Sequence, residues 1–445
     1  MHFSRCSKMS HMFVLVAVTA IVSSLMVSSP LFRSTSTRAA ANAQHDVRKG
    51  TIAPTATVNI SKFSSVNGAA PSAKHLSKVL RHFQPLGALG QEPTALNSSS
   101  EEPPVGALLS NFNGTSSLDS AVTNFGAEFE PPDQGLCVGN GFVLEPVNSA
   151  FRIYRPNGST VIGPLNVNDL FAEGPKEFTS DPRCQYDKTT NRWFASILFI
   201  SADNTSARTD IAVSNSGDPT QDWTVYHLGA TDNGMNGEPK NSGCPCFGDQ
   251  PLIGLDSSNL YISTNEFSIL GPQFNGAQIY ALSKSQLIAR AHANFVQFEN
   301  LRIGGAKATS VQPAITYGQA DAEYFLNSLD PNGTTDNRLG VWAITNRNAV
   351  TVGSIPTLSR MVISSERYGV PPPALQKGAS STIDSGDDRM QQVQFINGDL
   401  WGALGTKVRP QNDTQVRAGI AWFRVRPQLN GAVIGNATIK NQGYV

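Results

Sequence analysis

Four aspartates open four of five similar polar stretches in this chain. They are Asp133 in Pro132-Asp-Gln134, Asp181 in Ser180-Asp-Pro182, Asp249 in Gly248-Asp-Gln-Pro251 and Asp388 in Asp387-Asp-Arg389. The remaining stretch, Val311-Gln-Pro313, carries no acid. If these openings occupy equivalent positions of a repeated unit, their carboxylates converge, with Arg183 and Arg389 as neighbours. Convergent carboxylates could hold Ca2+, which takes about six to eight oxygen ligands. They could instead supply the acid and the base that cleave a glycosidic bond. A third reading is structural, because aspartates at turns cap their own backbone.

Other residues add to this inventory. Asn265-Glu266 sets a carboxylate beside an amide at a strand end, as a second ligand-binding position or as a pair that fixes a loop. Trp223 lies near a turn and is the tryptophan best placed to face a ligand, whereas Trp193, Trp342, Trp401 and Trp422 fall in strands and are expected to pack between units. Cys6 belongs to the N-terminal segment, which leaves Cys137, Cys184, Cys244 and Cys246. Four cysteines fit two disulfides in an oxidising compartment, with the pairing open. Free thiols are another reading, and so is metal binding at Cys244-Pro-Cys246, although no histidine stands close by to complete a four-ligand zinc site. No Gly-x-Ser-x-Gly, Walker A or His-Glu-x-x-His pattern occurs, and the histidines are scattered, so histidine-based catalysis is not expected. Lys+Arg and Asp+Glu are equal at 34 each, so the basic excess that neutralises phosphates is missing and nucleic acid is excluded as a partner. Asn-x-Ser/Thr triplets at Asn113, Asn157, Asn204 and Asn332 matter only in a eukaryotic secretory pathway.

The elements that must position these residues repeat. After each polar opening comes an aromatic strand: Gly141–Leu144, Arg192–Ala195, Leu260–Thr264, Glu323–Leu326 and Asp399–Leu404. A second, β-branched strand follows: Phe151–Tyr154, Asp210–Ser214, Gln278–Ser283, Gly340–Thr345 and Gly419–Val425. The period is roughly 60 to 80 residues, longer than the ~40–50 of common blade repeats, with the excess in insertions such as 229–243 and 364–385. One such unit cannot bury both faces of its sheet, so the units must stack, and radial stacking gives a propeller. The expected fold is therefore all-β: a β-propeller of about five to seven four-stranded blades over residues 106–445, with a stacked sandwich as the alternative. The fifth unit has scarcely passed its third strand when the chain stops, so a strand near Leu108–Phe112 is expected to return and complete the ring, unless a blade is missing.

Ahead of the repeats, residues 44–105 are rich in Ser, Ala, Thr and Pro and read as a disordered, flexible linker, with His75–Phe83 the one candidate helix. Residues 1–43 lack acids, carry Arg5 and Lys8 before an apolar run from Met12 to Val27, and end in Ala41-Asn-Ala43. That order fits a signal peptide. The distance to Ala41 and the intervening Arg33 and Arg38 leave an uncleaved membrane anchor as the second reading and a transit peptide as a third. Membrane contact is expected only through such an anchor, and the protein is expected to be secreted or held at the cell surface.

Leu109–Gly114, Glu130-Pro-Pro-Asp133 and Cys137–Asn148, followed by Ser180–Arg183 with Asn191–Phe194 and Phe247–Pro251 with Ser263–Phe267, resemble the blocks of a group of secreted bacterial proteins of uncharacterised function. That group is similar to propellers with BNR or sialidase-like repeats, and the resemblance spans Leu109 to Val445. It implies a propeller outside the cytoplasm. Ser214–Trp223 keeps only the turn and the tryptophan of an Asp-box, and the Phe-Arg-Ile-Pro opening of sialidases is absent, so sialidase catalysis is not expected. The first functional expectation is a binding protein that presents loops to a glycan, an extracellular protein or the cell envelope. The alternative is a carbohydrate-active hydrolase working through carboxylates at the propeller mouth. Under either expectation the ligand-binding residues would be Asp133, Asp181, Arg183, Trp223, Asp249, Glu266, Asp388 and Arg389, and Ca2+ on the four aspartates is the one cofactor the pattern could take.

Overall fold

The computed structural model describes residues 45–66, 74–77 and 108–445, apart from positions 236, 330, 332, 334 and 412. The expected signal peptide or anchor, and most of the expected linker, lie outside the described residues. Among the described residues, no helix is long and apolar enough to cross a membrane.

Five antiparallel sheets follow one another along the chain as blades. Blade 1 contains Cys137–Gly139, Phe142–Val147, Ala150–Tyr154 and Thr160–Leu165, and blade 2 contains Phe178–Asp187, Arg192–Ile200, Ala207–Ser214 and Asp222–Gly229. Blade 3 contains Cys246–Leu255, Asn259–Ser268, Phe274–Ser283 and Ala293–Glu299. Blade 4 contains Gln312–Tyr317, Glu323–Ser328, Asp336–Thr345 and Thr357–Tyr368, and blade 5 contains Met390–Ile396, Asp399–Val408, Arg417–Asn430 and Val433–Tyr444. The aromatic and β-branched segments of the sequence repeat fall on the second and third strands of each blade. The innermost strands of blades 3, 4 and 5 lie side by side in parallel, through Leu255↔Ile315 and Ala314↔Val393. The fold is a β-propeller, as the repeat predicts.

Blade-on-blade packing explains the composition of the strands. Asn259–Ser268 is buried at every position and Arg192–Ile200 at all but its ends, because each sheet is covered on both faces by its neighbours. Separate apolar clusters fill successive seams: Leu144, Phe151 and Trp193 between blades 1 and 2, Phe194, Tyr226 and Ile262 between blades 2 and 3, and Tyr261, Phe325 and Trp342 between blades 3 and 4. Trp193 and Trp342 pack as expected, but Trp401 stays 39% exposed and stacks on Trp422 with ring centroids 6.3 Å apart.

Several sequence expectations are corrected. The last blade is complete, since Val433–Tyr444 pairs along Arg417–Asn430 as its fourth strand. Its exposed, polar run Asn-Ala-Thr-Ile-Lys-Asn-Gln gives no apolar signal, because an outermost strand meets solvent. No returning strand is needed at Leu108–Phe112, which is irregular chain with Leu109 fully outward. The strands that do return come from the expected linker. Asp46–Ile52 adds a fifth strand to blade 3 and Pro54–Asn59 a fifth strand to blade 2. Both cover sheet edges that would otherwise present unpaired backbone groups. Charged and proline-containing segments such as these suit edge positions and do not look like core strands. Lys74–Ser77 pairs in parallel with Ala127–Glu130, so the proposed helix from His75 begins as a strand, and its remainder lies outside the described residues.

All four remaining cysteines are bridged. Cys137–Cys184 ties the innermost strands of blades 1 and 2 across 47 residues, and Cys244–Cys246 spans only two. A cross-link restrains the unfolded chain more when it closes a longer loop. Replacing Cys137 and Cys184 together by serine is therefore expected to cost about 2–4 kcal/mol in urea unfolding. An unchanged midpoint would show that the seam between blades 1 and 2 holds without the bridge.

Candidate active site at the propeller mouth

The innermost strands of all five blades line one central channel, to which Gln134, Gln185, Leu252, Gln312 and Gln392 contribute. The four aspartates lie one to four residues before these lining positions in their own blades, at the openings of the innermost strands, which run parallel in blades 3, 4 and 5. Hydrogen bonds connect Asp133 with Asp181 through Asn148, and the Arg389 guanidinium feels the charge of Asp181 and Asp249. Asn148 Nδ2 donates to Asp133 Oδ2 at 2.8 Å, while Asn148 Oδ1 accepts the Asp181 backbone N–H at 2.9 Å. On the far side, Arg389 donates to Asp387 Oδ1 at 2.8 Å and to Gln250 Oε1 at 2.5 Å. Burial strips water from the Arg389 guanidinium, yet the carboxylates of Asp387, Asp249 and Asp181 push its pKa above the usual value. Arg183 donates to the Gln134 carbonyl at 3.0 Å, and its Nε is buried without a hydrogen-bond partner.

The four aspartates differ in access. Asp133 and Asp249 are partly exposed, whereas Asp181 and Asp388 are buried. The backbone is tight here as well. Asp133 (φ 44°), Asp181 (φ 60°), Gln250 (φ 52°) and Ser310 (φ 42°) all adopt left-handed conformations that side-chain-bearing residues rarely take. In blades 2 and 3 these residues sit where the innermost strand shifts register against its neighbour. A bulge of this kind turns a side chain out of the ladder and toward the axis.

Two expected site residues lie elsewhere. Trp223 is fully buried in the seam between blades 1 and 2, and its indole N–H donates to the Pro219 carbonyl at 2.8 Å, so it cannot face a ligand. The turn after Ser214 folds back on itself through Asp218 and Thr220 and carries the ring inward. Glu266 is only 2% exposed. It accepts from Asn241 at 3.0 and 3.1 Å and from Gln278 at 3.0 Å, under the connection from blade 2 to blade 3. Desolvation, with Asp232 close by, raises its pKa to about 8, so it holds a proton at neutral pH. Its neighbour Asn265 points to the other face of the strand, onto Ser310.

Buried ionisable groups without any sequence motif were missed. Asp210 in blade 2 is raised to about 8 by desolvation and by the charge of Glu173, which outweigh Arg208. His227 beside it is lowered to about 4 by desolvation and by Arg208. Asn148 also carried no signal in the sequence, although it joins two of the aspartates.

No family model matches the chain, and no curated protein matches it. Among solved structures the chain is similar to a GH43 endo-arabinanase from Bacillus licheniformis (14% identity, 68% of this chain and 96% of that one, TM-score 0.29). It is also similar to exo-β-1,3-galactanases from Clostridium thermocellum (13%, 70% and 62%, TM-score 0.33) and Phanerochaete chrysosporium (11%, 71% and 68%, TM-score 0.31). Likeness at this level assigns no substrate. The names of these neighbours are those of enzymes that act on glycans, against the expectation of a propeller that only binds, and no role passes from them to this chain.

Proposed function

We propose that this protein is a carbohydrate-active hydrolase whose carboxylates act at the mouth of the propeller. The observation that carries this reading is the gathering of Asp133, Asp181 and Asp249 around one end of the axis, linked through Asn148 and Arg389. Glycoside hydrolysis needs two carboxyl groups, one to protonate the leaving oxygen and one to act as base or nucleophile. Asp133 and Asp249 are the two that reach solvent, so they are the pair that meets the sugar. The Arg389 guanidinium interacts with the Asp249 carboxylate, which suits Asp249 to the base or nucleophile role and leaves Asp133 as the acid. Asp181 and Asp388, being buried, act as positioning residues. The left-handed backbone at Asp133 and Asp181 fits a site where local strain is retained for function.

Ca2+ on the same aspartates is the less favoured reading, because the Arg389 guanidinium already supplies positive charge among them. Two disulfides suit an oxidising compartment, so the glycan is met outside the cytoplasm. A closer relationship to BNR-type propellers rests on the Ser214–Trp223 turn, with its inward tryptophan and its Asp218–Thr220 closure.

The test is release of reducing sugar from a panel of galactans, arabinans and xylans by the purified chain. Asp249→Asn and Asp133→Asn are each expected to lower the rate about 10²–10⁴-fold with the melting temperature held. A panel without turnover, or variants as active as the parent, would remove the hydrolase reading.

A further inference from the structure

The Cys244–Cys246 bridge opens the innermost strand of blade 3, three residues before Asp249, and is built differently from Cys137–Cys184. Both cysteines of the longer bridge are buried, at 4% and 6% exposure. In the short one Cys244 is partly exposed while Cys246 is fully buried. Asn275 Nδ2 faces both sulfurs, at 4.0 Å from Cys244 Sγ and 3.7 Å from Cys246 Sγ, where it can stabilise a thiolate. Cys244 Sγ stands 4.0 Å from Glu266 Oε1, and the two sulfurs and a Glu266 carboxyl oxygen all lie within 4.8 Å of one another. An accessible sulfur, a shielded partner, an amide donor and a carboxyl group together form the equipment of thiol–disulfide exchange.

We propose that Cys244 and Cys246 form an exchangeable dithiol–disulfide pair, in which an external thiolate attacks Cys244 and Glu266 protonates the departing Cys246. In the first step a low-molecular-weight thiolate forms a bond to Cys244 Sγ, the Cys244–Cys246 bond breaks, and the electron pair leaves on Cys246. The Glu266 carboxyl gives its proton to that thiolate and becomes a carboxylate, which regains a proton from solvent. A second external thiolate then attacks the outer sulfur of the mixed disulfide and releases Cys244, which is protonated by solvent. Two external thiols are oxidised to one disulfide and the protein bridge is reduced to two thiols. The buried proton of Glu266 is favoured by desolvation and by Asp232. Asp232 in turn lies among Glu299 and Glu238, on both of which Arg48 acts, and Lys307 is the cation that feels Glu266 itself.

The experiment is graded reduction of the native full-length chain by dithiothreitol, with alkylation and peptide mass mapping. Cys244 and Cys246 are expected to be labelled at reductant concentrations at least about tenfold below those that open Cys137–Cys184, with the circular dichroism spectrum unchanged. Bridges that open together, or only as the chain unfolds, would overturn the proposal. Reduction by glutathione, corrected for the thiolate fraction of the attacking thiol, should slow as pH rises through about 8 in the parent. The Glu266→Gln variant should lose that step, and an identical profile would remove Glu266 from the exchange. Independently of that variant, Cys246→Ser with oxidised glutathione should hold a mixed disulfide on Cys244. Cys244→Ser should leave Cys246 unmodified, and the reverse pattern would refute the assigned order of attack.

Discussion

Replacing Arg389 by methionine is expected to lower the free energy of unfolding by about 3–5 kcal/mol at pH 7. The guanidinium is 19% exposed, bonds Asp387 and Gln250, and offsets the charge of Asp181 and Asp249 at the end of the channel. Methionine fills a similar volume but leaves those carboxylates without their cation in a site with little water. Removing one partner of a buried ion pair costs far more than the pair itself contributes. The loss should shrink near pH 4, where the stranded carboxylates can take up protons. Arg389→Lys should restore only part of it, since an ammonium cannot reproduce the planar fork of donors. Urea unfolding at both pH values reads the effect. A loss below about 1 kcal/mol at pH 7 would mean that water reaches the carboxylates and screens them. Hydrolysis should fall in parallel, because the same guanidinium interacts with Asp249 at the mouth.

Much of this arrangement is legible in the sequence because a propeller repeats its signals. A strand buried on both faces must be apolar along its length, so Arg192–Ile200 and Asn259–Ser268 announce themselves. The polar openings Asp181-Pro182 and Asp249-Gln-Pro251 are equally visible, since proline interrupts the ladder at the bulge. The outer strands are not visible in this way. Asp46–Ile52 and Val433–Tyr444 face solvent on an edge, and their composition is that of a loop. A tryptophan next to a turn can point in either direction, and for Trp223 only the Asp218–Thr220 closure decides it. Glu266 was recognised as notable, but its burial and its approach to Cys244 depend on the 230–245 connection, whose path no local pattern encodes.

The buried acids that carry no motif make the fold sensitive to pH, and the sense of the dependence follows from their shifts. Asp210 and Glu266 both titrate near pH 8 in the folded chain, against about 4 when unfolded. Between those values the folded state keeps these two protons, and fully buried Glu323, pushed well above its ordinary value by desolvation, holds another, so stability falls as pH rises. Below about 6.5 this trend is opposed by His227, which burial lowers to about 4, because the unfolded chain then binds the proton that the folded chain refuses. Asp119, Asp187 and Asp399, held low by their arginine or lysine partners, act only in stronger acid. The unopposed window is therefore pH 6.5 to 8. There each held proton changes the unfolding free energy by up to about 1.4 kcal/mol per pH unit, for a combined loss of at least about 3 kcal/mol. Urea unfolding across that window should show the decline, and Asp210→Asn should remove about a third of its slope. Stability that stays level or rises from pH 6.5 to 8 would mean that both acids are already ionised in the folded protein.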